Sequence, residues 1–141
     1  MKRIYPGYER EIKNLTYKEE KLLGIIKNVS TDLANKAKIT EGLERLRNEL
    51  IEKYEKEASK GRDVNKLRGI SEHIASINQK IRFLLTEFEK DIRYELELLK
   101  RIDEGEKIDE NIINTLKQKI DNLSRKAKGY EKQMKEEIRY V

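Results

Sequence analysis

INTLKQKIDNLSRKAKGYEKQMKEEI, residues 113–138, is the stretch whose reading decides the fold. Apolar residues fall at Ile113, Leu116, Ile120, Leu123, Ala127, Tyr130, Met134 and Ile138, three and four apart until the final step of four. That spacing lays one apolar stripe along a helix of about thirty residues, longer than the usual globular helix and patterned as the seam of a coiled coil.

Working upstream, Asp103-Glu104-Gly105-Glu106-Lys107 reads as a turn, Asp109 as the N-cap of the helix just described, and Ile108 with Ile113 as a hydrophobic staple. Before that turn a second stripe runs through Leu67, Ile70, Ile74, Ile77, Ile81, Leu84 and Phe88, then shifts to Ile92, Leu96, Leu99 and Ile102. Its start is marked by Ser59-Lys60-Gly61-Arg62-Asp63, with Gly61 suited to ending one helix and Asp63 to capping the next.

A third pattern, through Ile12, Leu15, Leu22, Ile26, Val29 and Leu33 with Glu19 as its one polar member, falters over 34–42. Lys36 and Thr40 stand where the seam wants apolar groups, and Gly42 weakens a helix interior by about 1 kcal/mol against alanine. The repeat resumes at Ile39, Leu43, Leu46, Leu50 and Tyr54, displaced by one residue. Either one helix passes through with a stutter, or it breaks and Thr40 caps a separate helix. With no proline or Asx-Gly pair to enforce a break, continuity is the expectation.

The expected fold is therefore all-α: an elongated antiparallel three-helix, coiled-coil-like bundle with helices over about 9–59, 63–103 and 109–140. A break near Thr40 would make it a four-helix bundle. Residues 1–8, with Pro6-Gly7, read as a flexible arm before a single domain over 9–141.

Composition agrees. Charged residues make up 42% and apolar ones 36%, interleaved on a regular repeat, so the charge marks a helical bundle and not disorder. The Lys/Glu-rich, Gln-poor balance is thermophile-like. Without cysteine, disulfides, thiolate chemistry and Cys-ligated metals are excluded. The leading MKRIYPGYEREIK has no apolar core of a signal peptide, and no apolar run approaches about eighteen residues, so a cytoplasmic protein is expected. The stripes are narrow and free of tryptophan, unlike helices that lie on membranes.

Little in the chain suggests chemistry. His73 is the only histidine, and the position where a Glu-x-x-His metal box would place its acid is Ile70. Glycines stand singly, without the clustering that cradles phosphates, and no nucleophile-elbow pattern occurs. Glu19 is read as a register or solvent-edge residue. No catalytic, cofactor-binding or metal-ligating residue is expected, and the chain reads as a non-enzyme.

Charge placement says more. Lys60, Arg62, Lys66 and Arg68 make the first turn basic, and an antiparallel third helix would bring Arg125, Lys126, Lys128, Lys132 and Lys135 back toward it. The turn from Asp103 to Glu110 is acidic, so the rod is expected to carry opposite charge at its ends. The leading expectation is a scaffold, adaptor or assembly subunit acting through coiled-coil contacts. Its candidate interface seam is Leu15, Leu22, Ile26, Val29 and Leu33, left bare because the third helix is too short to cover the first. A protein partner is expected, most simply a second copy. The alternative is a nucleic-acid-associated protein whose basic residues contact phosphates; Glu131, Glu136 and Glu137 interrupt that run and count against it.

Overall fold

A computed structural model describes residues 9–61 and 63–141, and the side chains of all of these except 9–18, 110 and 113. Helix α1 runs Glu9–Lys60, α2 Val64–Asp103 and α3 Glu110–Glu137, followed by a short 3-10 turn, Ile138–Tyr140. The three pack antiparallel in sequence as an elongated bundle. At 1.5 Å per residue they are about 78, 60 and 42 Å long. The bundle is all-α with three helices, as the spacing predicts. The arm 1–8, Arg62, Leu15 and the Ile108–Ile113 staple lie outside the described residues or depend on them.

Both turns follow the capping chemistry read from the sequence. Asp63 accepts from the Lys66 backbone N–H at 3.2 Å, and Asp109 from that of Asn111 at 3.0 Å, each satisfying an otherwise orphan donor. The second turn is closed by a Schellman motif. Gly105, at φ +93°, donates to the Ile102 carbonyl and Glu106 donates to the Arg101 carbonyl at 2.9 Å. Arg101 then grips Glu106 with Nε at 2.8 Å, and this bond draws the Glu106 carboxyl below its ordinary range.

Helix one does not break. Thr40 is buried within α1, and its hydroxyl donates to Glu44 at 3.3 Å instead of capping anything, so the four-helix alternative falls. Nor is there a stutter. The face turned inward is Leu22, Ile25, Val29, Asp32, Lys36, Ile39, Leu43, Leu46, Leu50, Lys53 and Glu57, each buried or half-buried, in unbroken alternation of three and four. Ile26 and Leu33, assigned to the seam from sequence, are 46% and 51% exposed. Asp32 and Lys36 hold the core positions, and an apolar-only reading slips one residue to avoid them.

Helix two repeats the lesson. Its inward face is Ile70, Ile74, Ile77, Ile81, Leu84, Phe88, Asp91, Glu95, Leu98 and Ile102, again three and four apart without a shift. Leu96 is exposed, and Glu95 takes the place expected for it.

The core accordingly falls into two clusters. The larger joins Ile39–Leu50 of α1, Ile70–Ile92 of α2 and Ile120–Met134 of α3; the smaller joins Ile25, Val29, Leu98, Ile102 and Leu116. Between them lies the level of Asp32 and Glu95. At the far end Lys53 donates to the Val141 backbone oxygen, so α3 and its 3-10 turn stop short of the first turn, and the last turns of α1 pair with α2 alone.

Candidate functional site

The most unusual chemistry is internal. Glu95 is 1% exposed, yet its Oε2 meets no donor. Burial, then a hydrogen bond to Asp32, then the charges of Asp32 and Asp91 push its carboxyl up to about 8. Glu95 thus keeps its proton to a higher pH than a free glutamate, with Asp32 as its partner across the α1–α2 interface. Asp32 is itself raised, chiefly by burial, with the Glu95 hydrogen bond opposing and Asp121 of α3 adding repulsion. Among the described residues no group of three His, Cys, Asp or Glu side chains is arranged to hold a metal ion. Glu19, the acid singled out from sequence, is exposed, while His73 is half-buried on α2.

A largely apolar row, interrupted by Ser30, lies outside the core. Leu23, Ile26, Ser30, Leu33 and Ala37 are all exposed and follow the inward seam one residue behind, about 100° around the helix. That side of α1 is the one Arg47 uses to reach Asn78 of α2, at 3.3 Å. The opposite flank, with Gly24 and Asn28, faces Asn114 and Lys117 of α3. The row thus borders α2 on the side away from α3, where exposed Leu96 follows Glu95 in the same way. Of the seam proposed from sequence, Val29 and Leu22 turn inward, Ile26 and Leu33 turn outward, and Leu15 lies outside the described side chains.

The basic residues separate into two groups. Lys60, Lys66 and Arg68 sit at the first turn, with Lys66 paired to Glu57 at 3.3 Å. Arg125, Lys128, Lys132 and Lys135 are exposed along one face of α3, with Lys135 paired to Glu131 at 3.2 Å. Lys126 lies over the Phe83 ring, about 28 Å from the start of α2 when counted along that helix. Lys126 therefore stands apart from the first turn, on the flank of α3 that meets α2.

On the other flank of α3 from Lys128 and Lys135, the groove between α2 and α3 holds two rings that sequence reading passed over because they lie off the seam. Phe83 and Tyr94 are 40% and 37% exposed. Phe83 meets Tyr130 edge to face, centroids 6.5 Å apart and planes at 74°. A lysine lies by each ring: Lys126 at 4.6 Å from Phe83, Lys119 at 5.6 Å from Tyr94 and Lys80 at 5.7 Å from Tyr130. The signal available in the sequence was an aromatic residue directly preceding a seam position, Phe83 before Leu84.

No described helix is long and apolar enough to cross a membrane. Compared with models of known families, with curated proteins and with solved structures, the chain matches none of them.

Proposed function

We propose that the chain is a non-enzymatic scaffold or assembly subunit that pairs through a second apolar seam on α1, most simply with another copy of itself. The observation that carries this reading is the exposed row Leu23, Ile26 and Leu33, joined by Leu96 across the α1–α2 edge. Isolated apolar side chains on a surface need no explanation, but three at seam spacing over nearly three helical turns, with Ser30 as the one polar member, are what a partner helix requires. Each of the four is already about half covered, so burying the remainder stabilises association by about 0.8–1.5 kcal/mol each before the entropy of association is subtracted.

Sedimentation equilibrium tests the reading. The wild-type chain is expected to have the mass of a dimer at low micromolar concentration. Ile26→Lys combined with Leu33→Lys is expected to give a monomer with unchanged helicity, since both positions lie outside the core. A wild-type chain that stays monomeric, or a double variant that still dimerises, defeats it.

A further inference from the structure

We propose that the second-turn end of the bundle opens as a unit of its own, hinged at the level of Asp32 and Glu95, and opens more readily as protons are withdrawn. The inference does not rest on self-association.

The hinge follows from where the core divides. Beyond the polar level, Ile25, Val29, Leu98, Ile102 and Leu116 form a cluster separate from the fourteen buried residues of the larger one. A stretch with fewer buried apolar contacts opens at lower cost than the whole fold. The turn belongs to this end: Arg101 Nε holds Glu106 at 2.8 Å, and Ile108 and Ile112 pack on the smaller cluster.

The response to protons follows from what stands at the hinge. Glu95 is 1% exposed, and its Oε2 meets no donor among the described residues. From α1, Asp32 is its partner, and half-buried Lys36 follows Asp32 one turn on. On α2 itself, half-buried Asp91 lies one turn before it on the inward face. On α3, Glu131 meets Gly42 of α1, and Lys117 shares a groove with Asn28, a register that sets Asp121 abreast of Asp32. The charge of Asp121 acts on Asp32, and that of Lys119 on Asp91.

With Glu95 protonated, three carboxylates share this level with Lys36, Lys117 and Lys119. Ionised, Glu95 adds a fourth negative charge at the most buried of the four acidic positions. A charge held there without water or a donor is costly, and opening the end admits water to it. Closed, the carboxyl is pushed up to about 8; opened, it returns toward the ordinary 4.5. Opening therefore releases a proton across that window, and the opening constant rises by up to about tenfold per pH unit before levelling off.

Amide hydrogen exchange of the full chain, read by mass spectrometry from about pH 5 to 9 and divided by the intrinsic rate at each pH, tests this. Amides over 98–102 and 112–116 are expected to be less protected than those over 77–84 at every pH, because the end opens without the rest. Their protection should fall by up to about tenfold per pH unit to about pH 8 and then level off. Glu95→Gln keeps the shape of the side chain and cannot ionise. It should remove most of that fall while the lower protection of the end remains. Equal protection of the two stretches would make the bundle one cooperative unit and overturns the proposal. So does end protection that stays constant with pH in the wild-type chain, or a fall that survives Glu95→Gln undiminished.

Discussion

Two stretches of the same bundle solve the packing problem differently. From Ile39 to Leu50 on α1, facing Ile77 to Phe88 on α2, every seam position is apolar, and all of these side chains are buried. One heptad further toward the second turn, the same seams carry Asp32 and Lys36 against Asp91 and Glu95. The backbone does not notice the change: both helices run through it at constant spacing. What changes is the character of the seam, from wholly apolar to one in which buried Glu95 has Asp32 as its partner. Buried polar pairs of this kind contribute less to stability than apolar packing of equal volume, and a single one can fix which residues stand opposite each other.

The largest expected effect that tests this contrast is Phe88→Ala, which should cost about 3–5 kcal/mol in urea unfolding because it removes the largest fully buried side chain of the larger cluster. Leu98→Ala, in the smaller cluster, should cost about 2–3 kcal/mol and release amide exchange near the second turn before the rest of the bundle. Equal, global loosening by both variants would erase the distinction between the two regions.

Next comes the polar layer itself. Folded Glu95 keeps its proton up to about 8, whereas an unfolded glutamate releases it near 4.5, so the folded state binds the extra proton across that window. Stability should therefore fall as pH rises from about 4.5 to 8 and level off above, because the unfolded state gains from ionising first. Asp32, also raised, acts in the same direction. Glu95→Gln should flatten this slope, and Glu95→Leu should raise stability at pH 8 by about 1–3 kcal/mol by removing a buried, half-satisfied carboxyl. Urea midpoints that rise with pH in the wild-type chain would contradict the assignment of the proton.

Smaller effects sharpen the outer boundary of each region. Leu33→Ser and Leu96→Ser should each change monomer stability by less than about 0.5 kcal/mol, measured at concentrations where the chain is monomeric. A large loss at either site would return it to the core. Gly42→Ala should have the smallest net effect. The new methyl meets the end of the Glu131 side chain, which can swing toward Lys135, while helix propensity improves by about 1 kcal/mol, so a slight rise in the thermal midpoint is expected.

The same contrast explains what the sequence could and could not show. Helix number, both turns and the Asp63 and Asp109 caps were legible because each rests on local chemistry: a glycine at a reversal, a carboxylate beside free N–H groups. The apolar stretch was legible because hydropathy and position agree there. They disagree at Asp32 and Glu95, where a polar residue keeps the core position and a leucine follows it. Hydropathy alone favours Leu33 and Leu96 and so invents a shift in both helices at the same level. Only the opposing helix reveals that the two acids face each other and can share a proton. The ring-lined groove was hidden for a related reason, since Phe83, Tyr94 and Tyr130 become neighbours of lysines only when α2 and α3 are docked.

The unbroken spacing on α1 has a consequence for handedness. A repeat of 3.5 residues on a helix of 3.6 forces left-handed winding of about 20° per heptad, so the five heptads from Leu22 to Glu57 turn through about 100°. The outer row from Leu23 to Ala37 winds with the core because it shares the repeat. A straight rod laid against it would drift off, whereas a helix with the same repeat would coil along and stay in register. The bundle thus selects, by its own winding, the periodicity of whatever helix can join it.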